Sequence, residues 1–180
     1  MIRDLLTRPF RPGEAEALGG VIIDEPLDVS GRLLPNLDLT KAVFRAPANF
    51  QGAKFQGLAW FREVTFEAPV DFSKAEFASD ARFDAAQLRR AARFSCARFD
   101  GIPCFDRAHF SEAAFLDEMT CSGGLSLAQT RFDGPVSLRE TECWGGLWCN
   151  ANEFSSDVEM RGLEVHGRKW ITAARAPPDG

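Results

Sequence analysis

The sequence predicts a solenoid, an all-β rod whose chain turns a corner in every short unit. Three observations carry this reading. Phenylalanine recurs at alternating steps of six and five residues, a column of small residues sits two positions before each of those centres, and the composition holds sixteen Phe and four Trp with no Tyr. A ring without a hydroxyl suits a site that offers no hydrogen-bond partner, so rings repeated in this way belong on a buried axis.

The centres run Phe44, Phe50, Phe55, Phe61, Phe66, Phe72, Phe77 and Phe83, then Leu88, then Phe94, Phe99, Phe105 and Phe110. The same rule continues through Leu116, Cys121, Leu127, Phe132, Leu138, Cys143, Cys149, Phe154, Met160, Val165 and Ile171. Of these 24 centres fourteen are Phe, and every other is apolar or Cys. Eleven of the residues two places earlier are Ala. Upstream the rhythm is looser, through Leu37/Leu39, Arg32/Leu34, Leu27/Val29 and Val21/Ile23. A helix would rotate successive rings apart by about 140° at a five-residue step. An extended strand would put residues five apart on opposite faces. Only a chain that bends within every unit points all centres at one axis.

The composition sets limits on function. A length of 180 residues suits one domain, and a 45% hydrophobic content excludes a fully disordered chain. No run approaches the roughly 18 apolar residues of a membrane-spanning helix, so no membrane insertion is expected. Charges at Arg3, Asp4, Arg8, Arg11, Glu14 and Glu16 interrupt any signal-peptide core. A net charge of −5 argues against direct nucleic-acid binding. The segment 1–20, with Leu5, Leu6, Phe10, Ala15, Ala17 and Leu18, is assigned to an N-terminal cap, 21–171 to the solenoid and 172–180 to a flexible C-terminal tail.

The stretches Leu37-Asp38-Leu39-Thr40-Lys41-Ala42-Val43-Phe44 and Ala48-Asn49-Phe50-Gln51-Gly52-Ala53-Lys54-Phe55 resemble the pentapeptide-repeat family, whose units run Ala, Asp or Asn, Leu and two variable residues. The resemblance extends over 21–171. It implies a right-handed quadrilateral β-helix with four units per coil. Here Phe is the usual centre and alternate units hold six residues, which makes a 22-residue coil. The extra residue is expected to bulge a corner on two opposite sides. About seven coils fit between Val21 and Ile171.

In such a coil every residue stacks on its equivalent in the next. Phe44, Phe66, Leu88, Phe110, Phe132 and Phe154 form one inner column, and three more follow the same rule. Where a centre shrinks to Cys the residue two before it grows, as in Met119/Cys121 and Leu147/Cys149, which conserves interior volume. Cys96, Cys104, Cys121, Cys143 and Cys149 lack any CxxC spacing, and the chain has two His, so the cysteines read as buried free thiols in a reducing, cytoplasmic compartment. Cys121 and Cys143 stack one coil apart, where a disulfide would depend on their geometry. His109 and His166 point outward, and no nucleotide, metalloprotease or hydrolase motif is present. No catalytic residue, metal site or cofactor is expected.

The function must therefore lie on the outer surface. Trp60, Arg82, Cys104, Ser126, Trp148 and Trp170 share one outward column. Trp148 and Trp170 are expected to stack near the C-terminal end, with Trp144 around the corner and Phe115 also facing out. Clustered exposed aromatics call for a protein interface, a homodimer contact, or coverage by the C-terminal tail. Residues 82–107 hold Arg82, Arg89, Arg90, Arg93, Arg98 and Arg107 against three Asp, either a basic ring or charges spaced among neighbouring acids for solubility. Residues 108–165 hold ten acids against three Arg. Two functions follow. One is a non-enzymatic scaffold that binds another protein through its outer faces. The other comes from the resemblance: some members of that family mimic the shape and charge of duplex DNA, bind type II topoisomerase (DNA gyrase), protect it from inhibitors, and dimerise through the C-terminal end. On that reading the phosphate mimics are Asp117, Glu118, Glu140, Glu142, Glu153, Asp157, Glu159 and Glu164. The Arg band and the 22-residue coil depart from that pattern.

Overall fold

The computed structural model describes residue 11 and residues 14–172. Residues 1–10, 12–13 and 173–180 lie outside the described residues, and with them most of the segment assigned to the cap and nearly all of the expected tail.

Twenty-nine short strands form four parallel sheets, and no helix occurs among the described residues. The first face starts at Glu16–Ala17 and ends at Arg168–Ile171, with eight strands. The second runs from Ile22–Ile23 to Glu153–Phe154, the third from Leu27–Asp28 to Val158–Glu159, and the fourth from Leu33–Leu34 to Glu164–Val165, with seven strands each. The chain visits the faces in that order and returns to the first, which makes a β-solenoid of about seven coils. Pairing already begins at Glu16–Ala17 against Leu37–Asp38, inside the segment assigned to a cap.

From Leu37 onward the ladders keep the expected 22-residue register, as Leu37↔Ala59, Val43↔Thr65, Ala48↔Val70 and Lys54↔Glu76 show. Five-residue steps turn the tight corners between faces one and two and between faces three and four. Six-residue steps turn the other two, so the bulges lie on opposite sides as expected. The first coil is the exception: Ile23↔Phe44, Leu27↔Ala48 and Leu34↔Phe55 are each one residue closer in sequence. One residue is missing at Pro35-Asn36, where the next coil has Gln56-Gly57-Leu58. The Asn36 side chain spans the gap, accepting from Leu58 N at 2.7 Å and donating to Glu14 O at 2.8 Å and Arg11 O at 3.2 Å. It is 5% exposed, and a buried carboxamide is tolerated because both of its ends are bonded.

Each tight corner has one residue in the left-handed region, fourteen in all, from Gly20 to Gly162; ten of them are not glycine, including Lys74, Ala85 and Glu118. An Asp or Asn of the repeat prepares several of these turns. Asp38 Oδ1 accepts from Thr40 N, Asn49 Oδ1 from Gln51 N and Asp71 Oδ1 from Ser73 N, at 3.0, 3.0 and 2.7 Å. That local bond, two residues forward, is the reason the unit prefers Asp or Asn before its centre.

The centres fill the axis. Twelve Phe from Phe44 to Phe110 are the largest fully buried side chains. Rings in successive coils stack, with centroids 4.7 Å apart for Phe50/Phe72, 4.4 Å for Phe55/Phe77 and 4.9 Å for Phe61/Phe83, within 6° of parallel. Within a coil they meet edge to face, as Phe72 and Phe83 do at 80°. Both geometries suit the ring quadrupole. The last coil differs from expectation. Phe154 and Val165 are half-buried, while Met160 and Ile171 are 38% and 59% exposed. An inward side chain is buried only when coils flank it on both sides, and no described coil follows this one.

Candidate protein-binding surface

The register aligns the outward column of the first face as expected: Trp60, Arg82, Cys104, Ser126, Trp148 and Trp170 follow one another coil by coil. The two C-terminal indoles, however, do not stack. Trp148 lies over Gly124, where a Cβ would come within 2.9 Å of its Cζ3. Trp170 instead meets the Arg168 guanidinium, 5.6 Å from its ring. Trp144 stacks on His166, with centroids 4.2 Å apart and planes 18° from parallel. Trp144 and Trp170 are 53% and 47% exposed. Trp144, Trp148 and Trp170 therefore gather where the fourth face turns into the first. There the strands Gly146–Cys149 and Arg168–Ile171 lengthen to four residues and pair along their whole length. Glycine permits the close approach: a Cβ on Gly145 would collide with the Gly123 carbonyl. Phe115 does not join this group. It faces outward on the third face, opposite the first, and is half-covered by the Arg93 guanidinium 4.3 Å from its ring.

The first face also holds a cleft of about 320 Å³. Cys104 and Ser126 form its floor, Asp80 and Ile102 one rim, Asp106 the other, and Arg82 and Trp148 its ends. Arg82 reaches the Asp84 carboxylate through Nε and Nη2 at 2.8 and 2.7 Å, and Cys104 Sγ donates to the same group at 3.3 Å. Burial opposes ionisation of Asp84, yet the hydrogen bonds from Arg82 and Cys104 outweigh it and hold the carboxyl below its ordinary range. Burial pushes the Cys104 thiol up to about 12, so it stands as a neutral donor rather than a nucleophile. The 22-residue column already places small residues between Arg82 and Trp148; the two acidic rims are what a reading of the sequence missed.

The eight acids proposed as phosphate mimics do not form one stripe. Asp117 is 6% exposed and bonded to the Ser137 hydroxyl and to Arg139 N and Nε, so it is a structural turn residue and no part of an outer face. Glu153 stands on the second face beside Arg131, at 3.7 Å. Glu118 and Glu140 occupy the corner between faces three and four, Glu142 and Glu164 the fourth face, and Asp157 and Glu159 the third face and its edge. Arg161 sits among these six, 3.9 Å from Glu159.

Four of the six Arg in the band pair with neighbouring acids, and a fifth, Arg93, lies over the Phe115 ring. Arg82 pairs with Asp84, Arg89 with Glu67, Arg90 with Glu112 and Arg98 with Asp100, at 2.7, 3.7, 2.8 and 2.9 Å. All five cysteines are free thiols, and all but Cys96 are buried. Cys96 departs from expectation: it occupies a left-handed tight-corner position, which turns its side chain outward. Cys121 pairs in register with Cys143, and the adjacent thiol together with burial keeps Cys121 protonated well above the ordinary thiol range. Among the described residues no group of three or more His, Cys, Asp or Glu is arranged to hold a metal ion, and no helix is long and apolar enough to cross a membrane.

A four-sided parallel β-solenoid, with a five- or six-residue unit on every side and an apolar centre in each, defines the class of this molecule. A family model described as pentapeptide repeats (9 copies) matches residues 34–76. That match, together with the fold, supports a pentapeptide-repeat protein. No curated protein and no solved structure matches it.

Proposed function

We propose that this protein is a non-enzymatic, cytoplasmic interaction scaffold that binds another protein through the aromatic corner at the C-terminal end of its rod. The observation that carries the reading is Trp144, Trp148 and Trp170 gathered at one corner, two of them about half exposed, beside the apolar Ile171. Elsewhere the outer faces are laced with ion pairs, such as Lys54–Glu76 at 2.9 Å, which bring solubility and little binding energy. Large, poorly hydrated aromatic side chains held on a rigid scaffold are what interface hot spots use. The partner can be a second copy of the chain, because the last described coil beside this corner ends on apolar side chains, Met160 and Ile171. The test is a pull-down from the native host together with sedimentation equilibrium, on wild type and a Trp144→Ala/Trp170→Ala variant. The reading requires a captured protein, or a dimer mass, that the variant loses. Equal behaviour of the two proteins would refute it.

The second reading is a DNA mimic that binds gyrase and protects it from inhibitors. Glu118, Glu140, Glu142, Asp157, Glu159 and Glu164, contiguous over two faces and the corner between them, favour it. The loss of Asp117 and Glu153 from that surface, and Arg161 within it, weaken it. Purified protein that neither inhibits gyrase supercoiling nor relieves a fluoroquinolone block would eliminate it.

A further inference from the structure

We propose that the cleft in the first face is a socket for an arginine side chain presented by a partner protein. The inference rests on the scaffold reading and names what that partner must offer.

The charge balance of the cleft is the starting point. Arg82, its one cation, is engaged in a two-point bond with Asp84. That leaves Asp80 and Asp106, on opposite rims, with no ion pair of their own among the described residues. Both are anchored through Oδ1: Asp80 accepts from Ile102 N at 2.9 Å, and Asp106 accepts from Ala128 N at 3.0 Å and from the Ser126 hydroxyl at 2.5 Å. These bonds fix the carboxylates on the corners of the rod and leave the second oxygen of each without a donor among the described residues. Two negative charges held across a cleft select a cation.

The third wall selects which cation. Trp148 closes the C-terminal end of the cleft, its indole held by contact with Gly124. A guanidinium is planar, weakly hydrated, able to stack on an aromatic face, and forked to meet a carboxylate edge-on; an ammonium is a compact, strongly hydrated point charge. A cleft of about 320 Å³ is at the lower end of the roughly 300–1,000 Å³ of small-ligand sites, the scale of one long side chain. Its floor of Cys104 and Ser126, residues of two successive coils, lets an aliphatic stem lie along the rod axis.

The test is a nuclear magnetic resonance titration of the full chain with N-acetyl-arginine methylamide, and separately with the citrulline analogue, equal in shape but uncharged. The expected result is saturable shifts confined to the amides of Ile102, Cys104 and Ser126 and the Trp148 indole. The arginine probe should bind at least tenfold more tightly than the citrulline one. An Asp80→Asn/Asp106→Asn variant, which keeps both Oδ1 acceptors and so the fold, should lose at least tenfold in affinity, while Lys54→Ala, on the fourth face, should lose none. Equal binding of the two probes, shifts scattered over the acidic faces, or full retention by the Asn variant would overturn the socket. Those outcomes are separate from the scaffold reading, which stands or falls on capture by the Trp144/Trp170 corner.

Discussion

Phe50 and Phe72, equivalent centres of successive coils, lie ring on ring at 4.7 Å and 5° from parallel. That spacing is close to the separation of hydrogen-bonded strands, about 4.8 Å, so the backbone ladder and the aromatic stack enforce the same coil rise. Neither has to strain to accommodate the other, and the rod keeps the rings paired for as long as the unit repeats.

The interior is therefore sensitive to volume. Phe83 is fully buried between Phe61 and Phe105, with stacking distances of 4.9 Å on either side. Phe83→Ala is expected to lower unfolding free energy by about 3–5 kcal/mol. Phe83→Leu should cost only about 1–1.5 kcal/mol, since Leu88 and Leu116 already fill equivalent centres. Guanidinium denaturation curves of the two variants provide the check.

The tight corners hold backbone strain. Lys74 has φ 59° and Gly52, one coil earlier in the same corner, has φ 63°. No atom lies within 4 Å of a Cβ built on Gly52, so Gly52→Ala tests the backbone conformation alone. It should destabilise by about 1 kcal/mol, whereas Lys74→Gly should stabilise by up to about 1 kcal/mol. Opposite shifts in the thermal midpoint would be seen in one corner column.

The Asp84 carboxylate should make the rod sensitive to acid. Its folded pKa lies below the ordinary value of 3.8, so its extra stabilisation is complete above the unfolded-chain pKa and is lost as the pH falls through the folded value. Asp84→Asn should cost about 1.5–3 kcal/mol at pH 7, because charge-assisted bonds to Arg82 and Cys104 are weakened. The difference between wild type and variant should shrink as the pH is lowered from about 5 towards 2, measured by urea unfolding across that range.

Much of this architecture was legible in the sequence, because the inner residues obey one arithmetic rule. The centres from Phe44 to Cys149, the 22-residue register and the opposed bulges all follow from alternating steps of five and six. What escaped the rule were residues whose role depends on hydrogen bonds across coils. The missing residue at Pro35-Asn36 shows in the sequence only as a five-residue step from Leu34 to Leu39 where six is due, and its accommodation appears with the Asn36 carboxamide bridging two strands. Asp117 and Glu118 are neighbours in one tight turn, yet the first turns into the corner and the second outward, a distinction that charge alone does not carry. Phe115 and Trp148 both face out, but on opposite sides of the rod.

Asn36 offers a check on the N-terminal side. Asn36→Ala leaves Leu58 N and two carbonyls without their partners. A loss of about 2–4 kcal/mol is expected from these three bonds. Hydrogen exchange should show it locally, as lost protection at the Leu58 amide with the amides of Phe94 and Phe105 unchanged.

The claim on which every placement depends is the 22-residue coil, and excision tests it directly. Deleting residues 67–88 removes one whole coil and joins Phe66 to Arg89, keeping every column in register. That protein should keep a β-rich circular dichroism spectrum and cooperative melting, in a rod about 4.8 Å shorter. Deleting residues 67–86, one coil of a strict five-residue repeat, should break the columns and abolish folding. If the 20-residue deletion folded as well as the 22-residue one, the register and the surface built upon it would be wrong.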